Sequence, residues 1–133
     1  MRIMLDANVL VSAILIRHSK VADVVRHIKD NHKIVLCRYL IDEVIDTYYE
    51  KFPDMVDDMK NIIAELNYEP FDIDHIDPKK YPKIRDIKDL PILANAIEAK
   101  VDVLITGDKD FETVKIDKPR ILKPREYQDE FMR

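Results

Sequence analysis

The sequence predicts an α/β fold in which a parallel sheet carries helices on both faces. Three observations lead there. Short apolar runs alternate along the chain with stretches whose apolar residues recur at helical spacing. The 133 residues are enough to enclose one core. Apolar residues at 47% and charged residues at 36% stand in the proportion of a globular protein rather than a disordered one. No repeat, low-complexity tract or linker breaks this pattern, so residues 1–133 are read as one domain.

The elements follow in order. Arg2 to Leu5 is a short apolar run that ends at Asp6, a plausible buried strand. Val21, Val24, Val25 and Ile28 keep helical spacing, and Ile34 to Cys37 reads as a second strand. Leu40, Ile41, Val44, Ile45 and Tyr48 predict a helix that Phe52-Pro53 interrupts, and Met55, Met59, Ile62, Ile63 and Leu66 predict the next. Asp, Pro and Lys dominate from Pro70 to Arg85, which suggests a long connection. Pro91, tolerated in a first turn, fixes the start of a helix that carries Leu93, Ala96 and Ile97. Val101 to Ile105 is a third strand, closed by the turn Thr106-Gly107-Asp108. Ile121-Leu122 is a short fourth strand, and Pro124 to Met132 a closing helix.

Composition excludes several functions. Gly107 is the sole glycine, so neither the P-loop nor the dinucleotide fingerprint is present, since each needs several glycines. A lone Cys37 makes no internal disulfide and no cysteine-based zinc site; in its apolar run it reads as a buried thiol, in keeping with a reducing cytosol. Nothing approaches the ~20 apolar residues of a membrane span, and the first apolar run is too short for a signal peptide, so a cytoplasmic protein without a membrane role is expected. His18, His27, His32 and His75 have no ligand spacing and are expected in solvent. The net charge of −4 argues against a protein that passively coats nucleic acid; a nucleic-acid substrate would need cations to bridge it to the chain.

The chemistry lies in the acids. Asp6 ends the first strand and Asp108 follows the third by a short turn. Asp89, with Asp86 one turn ahead, opens the Pro91 helix, and Glu43 sits in the first half of the second predicted helix. In a parallel α/β sheet these groups can meet beyond the carboxyl ends of the strands. Each has a plainer explanation: Asp86 and Asp89 as helix caps, Asp108 and Asp110 as turn formers, Glu43 as part of a solvated helix face. Asp6 fits an ordinary surface role poorly, because apolar stretches flank it on both sides. Gathered carboxylates repel by on the order of 4 kcal/mol per pair at ~4 Å and an effective dielectric near ~20. A divalent cation relieves this, and oxygen-only ligands select a hard ion, Mg²⁺ or Mn²⁺. Such an ion suits phosphodiester hydrolysis.

The chain resembles the PIN-domain family in four segments. They are Ile3 to Ser12 around Asp6, Leu40 to Val44 around Glu43, Asp86 to Ala94, and Leu104 to Phe111 around Asp108. The first and last are the specific ones. The resemblance implies a three-layer α/β sandwich with a central, mostly parallel sheet. It implies metal ligation by Asp6, Glu43, Asp89 and Asp108; Asp86 competes with Asp89 for the third position, and Asp89 is preferred because it lies closer to the Ile92-Leu93-Ala94 helix face. Asn8 and Thr106 match positions that shape the site by hydrogen bonding, and Asp110 matches an accessory acid. Within the family the chain looks most like the toxin components of toxin–antitoxin pairs. That implies a ribonuclease, commonly dimeric, held inactive by an antitoxin protein.

The expectation is therefore an Mg²⁺- or Mn²⁺-dependent endoribonuclease that cleaves RNA, acts as the toxin of such a pair, and forms a homodimer. Its rival is a PIN-like scaffold that binds RNA or protein without catalysis. A phosphatase with an Asp after its first strand wants a second Asp two positions on, where this chain has Asn8. Arg17, His18, Lys20 and Arg38 are candidate phosphate contacts, or scattered surface cations.

Overall fold

The computed structural model describes residues 1–133. Five strands form one sheet: β1 (Arg2–Leu5), β2 (Lys33–Leu36), β3 (Glu69–Pro70), β4 (Val103–Ile105) and β5 (Arg120–Leu122). Their order is β3-β2-β1-β4-β5 and every neighbouring pair is parallel. Ile3, Met4 and Leu5 are each fully buried, as are Leu36, Leu104 and Ile105. Successive strand side chains point to opposite faces, so the central strands are covered on both sides. Helices do the covering: α1 (Ala7–Leu15), α2 (Lys20–Asn31), α3 (Arg38–Lys51), α4 (Val56–Glu65), α5 (Leu90–Glu98) and α6 (Pro124–Phe131). The expected α/β sandwich is present, with a sheet that is parallel throughout.

Helix α1 departs from the sequence reading, which ran on from Asp6 without assigning a helix. Its nine residues are apolar almost all round, and Ala7, Val9, Leu10, Ala13 and Ile14 are buried. A helix buried on most sides has no polar stripe to reveal its period. What starts it is Asp6 itself: the carboxylate Oδ1 accepts from the Ala7 N–H at 2.7 Å as the N-cap. One residue thus ends β1 and opens α1.

The second departure is β3, which adds a fifth strand at the sheet edge where the connection is expected to begin. Its register pairs Val35 with Glu69 and Leu36 with Pro70. Proline has no N–H for a ladder and is confined to such edges. From there the chain crosses the carboxyl edge of the sheet to α5, and this crossing is anchored rather than loose. The Phe71 N–H donates to the Leu36 carbonyl at 3.1 Å. Asp72 accepts from the Arg38 N–H at 2.7 Å, supplying a cap for α3 where Cys37 gives none. Buried Asn95 on α5 accepts from the Ile73 N–H at 3.1 Å and donates to the Pro91 carbonyl at 2.8 Å.

Two histidines also correct the sequence reading. His27 on α2 hydrogen-bonds the Tyr127 hydroxyl at 2.8 Å, and its ring meets that of Tyr127 edge-on. His32 packs against Tyr127 and Phe131. Both rings help seat α6 on α2 instead of lying in solvent. His18 and His75 are exposed as expected. Cys37 is free and fully buried, and no helix is long and apolar enough to cross a membrane.

Candidate functional site

The strand order changes direction between β1 and β4. From β1 the chain builds outward through β2 to β3, then returns to place β4 on the other side of β1. At such a switch point the two following connections diverge and open a crevice beyond the strand ends. Asp6 leaves β1 there, and Thr106-Gly107-Asp108 leaves β4 beside it.

Asp6 is 3% exposed and its two carboxylate oxygens are both engaged. While Oδ1 caps α1, Oδ2 accepts from the Thr106 hydroxyl at 2.7 Å. The same Thr106 oxygen accepts from the Asp108 N–H at 3.1 Å. Asp108 in turn accepts from the Asp110 N–H at 2.9 Å, which folds Lys109–Phe111 into a 3-10 turn. A chain of short-range bonds therefore fixes Asp6, Asp108 and Asp110 relative to one another. Gly107 sits in this turn with open space where a Cβ would project, leaving the groove beside Asp108 clear. Asn8 borders that groove with an exposed side chain, and no hydrogen bond joins it to the acids.

The crossing segment delivers the other acids. Asp86 caps a 3-10 turn over Ile87–Asp89 by accepting from the Lys88 N–H at 3.0 Å. Asp89 stands at the head of α5 yet makes no capping bond. Its Oδ2 is buried with no hydrogen-bond partner. Ligand atoms of Asp86, Asp89 and Asp110 lie within 4.8 Å of one another. The two candidates for the third position thus differ: the Asp86 carboxylate is exposed and used as a cap, and Asp89 is the one aimed inward without a partner.

Electrostatics couple the whole set. Burial pushes the Asp89 carboxyl up to about 7, and the charges of Asp108, Asp6, Asp86 and Asp110 push the same way. Burial likewise raises Asp6, against the bonds from Thr106 and Ala7 and with Asp108 adding to it. Glu43, on α3, is raised by burial, with Asp6 adding and the Tyr39 hydroxyl opposing. Asp6, Asp86, Asp89, Asp108 and Asp110 share one field, and Glu43 joins it through Asp6.

Sequence reasoning did not single out Tyr39 or Arg85. Tyr39, one turn before Glu43, donates its hydroxyl to the Lys88 carbonyl at 2.9 Å, joining α3 to the Asp86–Asp89 turn. The Arg85 guanidinium lies 3.7 Å from Asp110 and is 68% exposed. A cation one residue from the Asp86 motif was the available signal for Arg85; Tyr39 carried none. Of the earlier phosphate candidates, Arg17 lies away beside Asp58, whereas Arg38 begins α3 near the crossing segment.

Fold and site together define an α/β protein that gathers carboxylates at the switch point of a parallel sheet. The chain belongs to the PIN-domain family, whose model matches residues 2–110. Among solved structures it is similar to VapBC2 from Rickettsia felis, bound to a DNA fragment from its promoter. That likeness has a TM-score of 0.68 at 19% identity and covers 92% of this chain and 97% of that one. At this identity the likeness speaks to the fold. No curated protein matches the sequence.

Proposed function

We propose that residues 1–133 work as one metal-dependent endoribonuclease domain that hydrolyses RNA phosphodiester bonds. The observation that carries this reading is the partnerless, buried Asp89 oxygen among four further aspartates. A fold that holds carboxylates this close, with only the exposed Arg85 guanidinium beside Asp110 to offset them, is in need of a cation. The donor set consists of oxygens alone, which fits a hard ion such as Mg²⁺ or Mn²⁺.

Asp6, Glu43, Asp89 and Asp108 are assigned as the residues that hold it, with Asp86 and Asp110 at the rim. When bound, Mg²⁺ or Mn²⁺ supplies Lewis-acid polarisation of the phosphate and acidifies water for attack on phosphorus. The chain's own residues do the positioning. Thr106 holds the Asp6 carboxylate and the Asp108 amide, and the Asp110 N–H holds the Asp108 carboxylate, so neither side chain swings away under mutual repulsion. Arg85, exposed beside Asp110, offers a forked guanidinium to an approaching phosphate. With a net charge of −4, the protein relies on such local cations to admit RNA.

The VapBC2 structure is that of a protein bound to promoter DNA. By extension we place this chain as the toxin of a toxin–antitoxin pair, cytoplasmic, homodimeric and inhibited by an antitoxin protein. The test is cleavage of a panel of structured and single-stranded RNAs with Mn²⁺, with Mg²⁺ and with EDTA, running Asp6→Asn beside the wild type. Cutting that needs the metal and disappears in the variant is the expected result. A folded protein that binds no Mn²⁺ and cuts nothing would transfer the assignment to a scaffold.

A further inference from the structure

Mutual repulsion should drive Asp89 outward. Its Oδ2 is buried without a partner and faces the charges of Asp6, Asp86, Asp108 and Asp110. Something must hold the turn that carries it. The burial of Leu90 secures the exit into α5, but Ile87 is 64% exposed and Lys88 is exposed, so apolar packing does little for the turn itself. Within it the hydrogen bonds are local: Lys88 N–H to the Asp86 carboxylate, and Asp89 N–H to the Asp86 carbonyl at 3.0 Å. The bond that reaches another element is the one from the Tyr39 hydroxyl to the Lys88 carbonyl.

The far end of that bond is well founded. Tyr39 lies in the first turn of α3, whose N-terminus is capped by Asp72, and the neighbouring Ile73 is held by Asn95 of α5. Tyr39 also precedes Glu43 by one helical turn, so both lie on one face of α3. A single side chain therefore stands between the helix that presents Glu43 and the turn that presents Asp89.

We infer that Tyr39 is a positioning residue for the acidic site: its hydroxyl, by holding the Lys88 carbonyl, keeps Asp89 aimed at Asp6 and Asp108 and so sets the affinity for a divalent cation. This rests on the metal-centred reading proposed above. Groups that orient ligands from behind are typically worth ~10–100-fold in metal affinity. The hydroxyl does not touch the cation or substrate in this scheme; it acts through Asp89 and through the neighbouring Glu43 carboxylate, which it also faces.

The experiment is a Mn²⁺ titration followed by the electron-paramagnetic signal of the free ion. It compares wild type, Tyr39→Phe, Tyr49→Phe and Asp89→Asn. Tyr49 lies on the same helix, is 54% exposed and accepts from the Lys60 ammonium at 2.9 Å, away from the acids. The expected result is Mn²⁺ binding weakened about 10-fold or more in Tyr39→Phe, unchanged in Tyr49→Phe, with an unaltered melting temperature in EDTA. Cleavage by Tyr39→Phe should then recover at saturating Mn²⁺. Wild-type affinity in Tyr39→Phe overturns the inference and leaves the metal reading intact. Wild-type affinity in Asp89→Asn overturns the inference alone, whereas wild-type protein that binds no Mn²⁺ removes the metal reading and this inference with it.

Discussion

Thr106 serves Asp6 and Asp108 through one oxygen atom, donating to the Asp6 carboxylate at 2.7 Å and accepting from the Asp108 N–H at 3.1 Å. The two acids come from the ends of adjacent parallel strands, 102 positions apart; strand pairing brings them side by side and this hydroxyl links them. Thr106→Val keeps the shape and removes the link. It leaves a carboxylate oxygen and an amide N–H unsatisfied in a buried setting, at a cost of about 1–3 kcal/mol. Thermal unfolding in EDTA should show the loss, and an unchanged melting temperature would mean water replaces the hydroxyl without penalty.

Asp6→Asn should separate folding from function. The amide oxygen still caps Ala7, and Thr106 can turn its hydroxyl to accept from the new NH₂. A charge that burial disfavours is gone, so stability should hold or rise. Cleavage and Mn²⁺ binding should fall by on the order of 100-fold or more, beyond what an outer partner supplies. Parallel circular dichroism and cleavage assays check both halves; a cleaving variant ends the assignment of Asp6.

Five of the six helices and four of the five strands were legible because their apolar spacing is a local property. Helix α1 was not, since a segment buried on most sides gives nearly the same run of apolar letters as a strand. Strand β3 was not, because two residues, one of them proline, make no pattern at all. In the site, Asp6 and Asp108 could be placed from strand ends alone. The sequence already favours Asp89 over Asp86 through its place nearer the Ile92-Leu93-Ala94 helix face; that one carboxylate is spent on a cap and the other is buried without a partner is visible only in three dimensions. Tyr39 and Asn95 act on backbone groups 49 and 22 positions away, contacts that leave no trace in a sequence.

The metal-free protein should lose stability as pH rises. Asp89, Asp6 and Glu43 all have folded-state pKa values above their ordinary ones, so the native state binds more protons than the unfolded chain. Their favourable contribution is full below the usual carboxylate range and is lost as pH climbs through the folded values, about 7 for Asp89. His32, lowered by burial, acts in the opposite sense near its own range. The comparison is therefore made with Asp89→Asn, whose melting temperature in EDTA should vary less between about pH 5 and about pH 8. Saturating Mn²⁺ should stabilise the wild type more at the higher pH. Identical pH profiles for the two proteins would contradict the Asp89 shift.

Asp72→Ala tests the brace behind the site. It removes the acceptor for the Arg38 N–H at the start of α3, where Cys37 provides no side-chain cap. Lost helix caps cost about 1 kcal/mol. Chemical denaturation should report that loss, and hydrogen exchange at Arg38 and Tyr39 should quicken. Exchange that stays slow would assign the anchoring of α3 to its buried face alone.

The shortness of β3 has a consequence for how copies of this protein can associate. A sheet grows by offering free amide and carbonyl groups to an incoming strand, and long flat margins do so whether or not this is useful. Here one margin is two residues long and ends in Pro70, which has no amide hydrogen to offer. The opposite margin, Arg120–Leu122, is only three residues long and begins with an arginine salt-bridged to Glu130. Neither can template a neighbour over any useful length. Self-association is thereby steered to helical and loop surfaces, and the molecule is guarded against the runaway edge-to-edge stacking to which parallel sheets are otherwise prone.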